Sequence, residues 1–539
     1  MKKYRLILFM LLIGLIDFSC EPKVEVAVET EPVKIQGPQT EEINESDYTK
    51  IYYVADNDGS DEEGDGSMEK PWASINYSLS QIATASEDNR IAIFVSEGDY
   101  SKSTIRMIEY VDLYGGFSEK SWQRDIDKNV SVLSGDRKRR IVIAANHSIL
   151  DGFMLTGGVV RGKGAAIDCK GGSPQISNNT FYRNKTLKPI PWNPRFIHET
   201  AHDGGAIYCE NDANPIIKNN LFVNNQTENG RGAAIAFSKK CKGKIIDNVF
   251  IKNVAGTDDP MRSSDGGAVS IFDWCHTTIK GNIILGNRSE SNNDGGGVFL
   301  ALWSSAEITN NVFVDNWSGD DAGALFVGGQ EHRYDSPLDP LPSKEDFYVS
   351  IKENTFLGNS HGGNNSGAMR FTMESRGEFV DNIVAHSNGI YFQRSDVKIV
   401  GNTILENFLF KETKEGLNPG HISENIIWGD FIITTEANVI NNNIKDGFGG
   451  AENLSEPPIF DDDGIEFVAE GVSYHTLKFY THIYVSDHQF APGALIGRVV
   501  NSGGTWGVVR SNDTHDITLW GDFSREIRFS ILPTYRLAK

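Results

Sequence analysis

Three aspartates, Asp265, Asp294 and Asp321, each stand directly before a small-residue triplet: Gly266-Gly267-Ala268, Gly295-Gly296-Gly297 and Ala322-Gly323-Ala324. If the triplets are equivalent points on successive turns of a repeat, neighbouring carboxylates come to about 5 Å and alternate ones to about 10 Å. Those separations span the requirements of retaining and inverting glycoside hydrolysis, in which one carboxyl protonates and the other attacks or activates water. A carboxylate column also repels itself, so either one pKa rises or a cation sits between the groups, and Ca²⁺ suits an all-oxygen site. The plainer alternative is that Asp before Gly-Gly bonds the turn backbone. A second chemistry, lyase elimination, needs a base near C5 of a uronate and a cation or Arg on its carboxylate; Lys163, His202, Arg231 and Arg262 are the basic groups near these triplets. Trp274 and Trp303 each fall five residues past a motif valine, and Trp192 lies on a long segment upstream of His202. Aromatic faces suit sugar rings, so Trp192, Trp274, Trp303 and Arg262 read as substrate contacts; the alternative is that either of Trp274 and Trp303 packs on a loop or on the C-terminal region.

These residues matter only if a repeat positions them. One line recurs, as in Asn220-Leu-Phe-Val-Asn-Asn225, Asn248-Val-Phe-Ile-Lys-Asn253 and Asn311-Val-Phe-Val-Asp-Asn316, with a Gly-Gly-Ala-Ile/Val motif between copies. The motif is constant and its spacing is not, so constant strands are joined by variable loops. Each unit is too short to bury its own apolar face, so units must stack. Short apolar runs without helical period, punctuated by Asn and Gly, point to parallel strands coiled into a solenoid. Asn at a corner tolerates left-handed backbone, and its amide can bond the next Asn one coil away, forming a ladder.

This pattern resembles the right-handed parallel β-helix family, pectate-lyase-like in fold. The pairing of GGA(I/L/V) with FxxN resembles the repeats of chlamydial polymorphic outer-membrane proteins. The resemblance implies an all-β solenoid and leaves function open, since such folds serve as lyases, hydrolases, adhesins and inert stalks.

The flanks divide the chain. Met1–Lys3, Arg5 and the apolar run Leu6–Ile16, followed by Ser19-Cys20, resemble a bacterial lipoprotein signal peptide, which implies lipidation at Cys20. Residues 1–19 are then the signal peptide and 20–47 an acidic tether. Residues 48–140 read as an N-terminal cap, with a helix over 74–85, and the first coils, residues 141–455 as the β-helix repeats, and residues 456–539 as a small β module or cap. Asp61, Glu63, Asp65 and Gly66 start like a calcium loop but position twelve is Trp72. Cys169 and Cys209 share one repeat column, Cys241 and Cys275 another; they read as buried apolar residues within reach of bridging. The net charge of −22 argues against nucleic acid as the partner.

The expectation is a lipid-anchored bacterial surface or outer-membrane protein that binds extracellular polysaccharide or a cell-surface glycan. In an enzymatic version Asp265, Asp294, Asp321, His202 and Arg231 carry the chemistry, with Ca²⁺ on the aspartates. The rival is an adhesin or structural surface protein without activity.

Overall fold

A computed structural model of the chain describes residues 37–169, 171–190, 202–258, 264–329, 347–363, 367–411, 420–434, 437–449, 452–460 and 462–535. The chain divides into two units, Met1–Lys34 and Ile35–Lys539. The first lies outside the described residues, and with it the expected signal peptide and Cys20. Among the described residues no helix is long and apolar enough to cross a membrane.

The second unit is a right-handed parallel β-helix carrying an antiparallel β module. Among the described residues the coils run through four parallel sheets, sheet 1 of fourteen strands, sheet 2 of thirteen, sheet 3 of seven short strands and sheet 4 of twelve, and only the middle coils visit sheet 3. One coil shows the path: Ile216–Lys218, Leu221–Val223, Gln226–Thr227 and Ile235–Phe237, then Lys244–Ile246 back in sheet 1. Successive coils stay in register, with Phe222 paired to Phe250 and Ile235 to Val269.

The recurrent Asn-x-Phe-x-x-Asn line explains this regularity. Its Phe points inward, and the rings stack coil on coil: Phe181 on Phe222 at 4.6 Å and Phe222 on Phe250 at 4.9 Å between centroids. Both asparagines form ladders. From Asn179 to Asn442 each side-chain N–H donates to the next Asn Oδ1, as at Asn220–Asn248 (3.0 Å) and Asn282–Asn311 (2.9 Å). A second ladder runs from Asn184 to Asn359, with Asn225–Asn253 at 2.9 Å. The buried amides also reach main-chain carbonyls, so corner groups that would otherwise be orphaned are satisfied. The expectation of left-handed backbone at the ladder Asn is corrected. Positive φ falls on the residue before it, as at Asn219, Asp247 and Asn310. That residue makes the turn, while the ladder Asn points its amide inward.

The glycine motif has a similar cause. Gly266 has φ +80°, and a Cβ there would come 2.4 Å from the Val269 carbonyl oxygen; one on Gly267 would come 2.1 Å from that of Gly296. At these two positions no side chain fits, while on a later coil Ala322 holds the place equivalent to Gly266 at φ +59°.

At the N-terminal end, strand Lys50–Val54 pairs in parallel with Ile91–Ser96, so sheet 1 begins there. The capping helix is shorter than expected, Ile75–Ser80, with Ile75 and Leu79 buried on the solenoid core beside Trp72. Asp61 belongs to this cap. Its carboxylate accepts the amides of Ala73 (2.9 Å) and Ser74 (3.0 Å) and the Ser74 hydroxyl (2.6 Å), so it braces the turn that leads into the helix. Residues 37–47, expected in a solvated tether, make fixed contacts: Gly37 N–H donates to the Asp247 carbonyl (3.0 Å) and Asn219 Nδ2 to Glu41 (3.0 Å).

The C-terminal module is a seven-stranded antiparallel sheet running from Ile465–Val468 to Gly471–His475. One of its faces builds its own core around Phe467, Val509, Phe523 and Phe529. The other packs flat on the outward face of sheet 2. There Val499, Val508, Trp520 and Tyr535 meet Leu221, Val249, Ile283, Leu285, Val314 and Leu357. Lys478 adds an ion pair to Asp127 at 3.5 Å.

Candidate functional site

The solenoid's three long sheets have three different outward surfaces. Sheet 1 presents Lys218, Lys244, Lys280, Glu307 and Lys352 together with Ile216 and Ile246, a mostly polar face. Sheet 2 is apolar and covered by the module. Sheet 4 carries on the side away from the core the register column Tyr208, Ala236, Ser270, Phe299, Phe326, Arg370 and Tyr391, of which all but Arg370 are buried. Its apolar members cluster only with residues of their own coils, such as Phe272, Ala322 and Leu302. The aspartates flank the upstream edge of this face and the tryptophans its downstream edge.

The aspartate column exists in the expected register, but its carboxylates are engaged. Asp265 Oδ1 accepts the Asp294 amide at 2.9 Å, and Asp294 Oδ1 accepts the Asp321 amide at 3.0 Å. Asp321 pairs with Arg370 and is 6% exposed, with its second carboxylate oxygen buried and unpartnered. Earlier in the column Asp203 takes the Arg231 amide (2.8 Å) and its guanidinium (3.1 Å), a pair with both side chains buried. The Arg231 guanidinium lies 3.5 Å from the Phe272 ring centre. Each acidic side chain thus ties its coil to the next, which is the turn-bonding role open to Asp before glycine. The group whose ligand atoms converge is not the expected trio. Asp294, Asp320 and Asp321 offer oxygens within 4.8 Å of one another, and Asp265 is not among them.

The tryptophans stack as expected from their spacing. Trp274 and Trp303 lie 6.2 Å apart with planes 6° from parallel. Both are half-buried and both sit in left-handed backbone, φ +58° and +62°, at the corner leaving sheet 4. The planes face each other, so each ring covers one face of the other. The Trp274 indole N–H is buried without a partner. The sheet 4 strand Val269–Ile271 runs between Asp265 and Trp274, so the two columns lie at opposite edges of one face.

Among the basic candidates, His202 Nδ1–H donates to the Leu187 carbonyl at 2.6 Å, and burial pushes its pKa down. Lys163 differs from Arg231: its ammonium meets a neutral phenol, Tyr208 Oη, at 2.9 Å and lies 4.6 Å from that ring's centre. Burial pushes the Lys163 pKa down and that of Tyr208 up. Tyr208 donates onward to Glu210 (2.9 Å), which also takes Lys239 (2.6 Å). Burial raises the Glu210 carboxyl, but the bonds from Lys239 and Tyr208 outweigh it and hold the group low. Tyr208, Glu210 and Arg370 were not singled out from the sequence; the signal was their outward position, one or three residues past a motif Ile or Met. Trp192, Arg195, His198 and Arg262 lie outside the described residues.

An open cleft of about 520 Å³ lies on the C-terminal module between Glu466, Phe467, His488, Asn501, Arg528 and Phe529.

Residues 141–313 match the family described as the right handed beta helix region. The fold defined by the four sheets is therefore a parallel β-helix by both coordinates and sequence. Among solved structures, XylC in complex with xylose is 11% identical and has a TM-score of 0.38, over 91% of this chain and 99% of that one. A mutant tailspike protein of E. coli bacteriophage HK620 in complex with a pentasaccharide is 11% identical with a TM-score of 0.23, over 83% and 82%. No curated protein matches the chain.

Proposed function

We propose that this protein is a lipid-anchored surface β-helix that binds extracellular polysaccharide along the outward face of sheet 4. The observation that carries this reading is the Trp274–Trp303 pair. Two large, half-buried rings stack on adjacent coils at the corner leaving sheet 4, at the edge of a long face that the module does not overlay. A glycan lying along the stacked coils would meet the indole edges and outer faces. An anionic glycan would find its counter-charges in Lys163 and Lys239 on the earlier coils. The lipid anchor is Cys20, and Cys20→Ala would leave the protein unprocessed or soluble when cells are fractionated; membrane-bound Cys20→Ala protein together with no labelled fatty acid on the unsubstituted chain would reject it.

A cleaving version is favoured by one specific observation, the Lys163–Tyr208 contact. Of the described basic candidates, Lys163 is the one whose ammonium faces a neutral phenol in a desolvated place, a condition that favours an amine acting as base. This makes elimination a better reading than hydrolysis, because Asp265 and Asp294 are occupied as acceptors. Any Ca²⁺ would be held by Asp294, Asp320 and Asp321, next to the positive charge of Arg370. Incubation of the protein with plant and algal polysaccharides decides between the versions. New absorbance at 235 nm marks elimination, new reducing ends without it mark hydrolysis, and retention without either marks binding alone. Failure to retain or cleave any polysaccharide would leave the adhesin or structural reading in its place.

A further inference from the structure

The four core cysteines are not equivalent. Cys169 and Cys209 follow the in-register pairs Ile167–Ile207 and Asp168–Tyr208 on adjacent sheet 4 strands, and their sulfurs are 2.8 Å apart. Both are buried, at 1% and 0% exposure, and face the solenoid interior. Strand neighbours of this kind have Cα atoms about 4.8 Å apart, inside the range a disulfide spans. Cys275 is committed differently, its thiol donating to the Phe272 carbonyl at 3.1 Å. Burial raises the Cys275 thiol pKa, and that of Cys209 for the same reason, with Cys169 adding to the effect at Cys209.

We infer that Cys169 and Cys209 form a disulfide between adjacent coils, with Cys241 and Cys275 remaining thiols. In the cell this rests on the proposed export, which supplies a disulfide-bearing oxidant. The first cysteine loses its proton and attacks that disulfide, giving a mixed disulfide and expelling one thiol. The second cysteine, also as thiolate, attacks the protein-side sulfur and expels the other. One disulfide thus passes from oxidant to protein and two electrons pass from protein to oxidant, which leaves as two thiols. Because the folded site is sealed and its thiols are held protonated, the exchange belongs to folding, before the coils close. The bridge lies beneath Tyr208, on the two coils that carry Lys163 and Tyr208, so it fixes the spacing of that contact from the core side.

The test uses the full chain, reduced and unfolded, then refolded in a mixture of reduced and oxidised glutathione. Alkylation under denaturing, non-reducing conditions followed by peptide mapping reads each cysteine. The expected result is a cross-linked peptide pair holding Cys169 and Cys209, with Cys241 and Cys275 fully alkylated. Cys169→Ser refolded the same way should leave Cys209 alkylated. Alkylation of both Cys169 and Cys209 in the refolded chain, or a cross-link between any other pair, would overturn the inference. Protein taken directly from the producing cells separates the two ideas. A bridge formed in vitro but absent from that material would count against export and leave the geometric inference standing.

Discussion

The outward faces of sheet 2 and sheet 4 are built on the same coils and have opposite fates. On sheet 2 every coil from Leu221 to Leu357 contributes aliphatic side chains, and the antiparallel module buries them under Val508 and Trp520. On sheet 4 the same register carries Tyr208, Phe299, Arg370 and Tyr391, buried ion pairs at its upstream edge and stacked indoles at its downstream edge. A uniform aliphatic face is cement between two bodies. A face that mixes aromatic rings, paired charges and a desolvated lysine has costs that cement does not need, and this is the pattern expected of a surface that meets a polar, ring-shaped ligand.

The contrast can be broken most severely on the cemented side. Leu285→Asp places a charge under the module at a site 3% exposed. It should destabilise the docked state by at least about 3 kcal/mol, from the lost aliphatic burial plus the desolvated charge. The expected readout is a split of one thermal transition into two, with faster proteolysis of the module. The control Thr278→Asp, on the polar face of sheet 1, should move the transition by less than about 0.5 kcal/mol. A single unshifted transition for Leu285→Asp would mean that the module is not held by this face.

On sheet 4, Arg231→Ala removes half of a buried ion pair and strands Asp203. Breaking such a pair typically costs about 3–5 kcal/mol, and urea denaturation should show it. Arg231→Met combined with Asp203→Leu should recover most of the loss, because no charge is then left uncompensated.

A smaller effect concerns pH at the seam between solenoid and module. The Tyr535 hydroxyl lies 2.6 Å from His386 Nε2, beside Trp506. Burial lowers the His386 pKa and raises that of Tyr535 to about 12. The folded state therefore binds the His386 proton less readily than the unfolded chain. Its contribution to stability is complete above the ordinary histidine pKa of about 6.5 and is lost as pH falls through the lowered folded value. Glu406, which accepts the Ser387 amide, has a carboxyl raised by burial and works in the opposite sense. Comparing melting temperatures of the unsubstituted chain and His386→Gln between pH 8 and 5 isolates the histidine. The difference between them should narrow or reverse as the pH falls, and a constant difference would refute the linkage.

The sequence made the coil itself legible because coil geometry is local and periodic. Asn-x-Phe-x-x-Asn determines an inward ring and two ladder amides on every turn, and Gly266-Gly267 a corner that no side chain fits. What it concealed depends on contacts between distant segments. Leu221 and Val223 flank an inward Phe and are visibly apolar, but only a partner from residues 479–535 explains why an outward position should be. The register of Asp265, Asp294 and Asp321 followed from their motif. Their bonding did not, because it depends on the coil-to-coil pitch and on Arg370, 49 residues beyond Asp321. The Trp274–Trp303 stack followed from spacing alone, whereas the half-burial of both rings came from the surrounding corner.

The central claim, that the sheet 4 edge binds polysaccharide, is tested most directly by affinity electrophoresis of the unsubstituted protein and the Trp274→Ala/Trp303→Ala double variant in gels cast with a panel of polysaccharides. Losing an aromatic contact costs on the order of 1–3 kcal/mol by analogy with aromatic hot spots. The account therefore predicts at least about tenfold weaker retardation of the double variant on every glycan that retards the parent, with the Asn ladders and core stacks still giving a cooperative melt. Equal migration of the two proteins on such a glycan would contradict it.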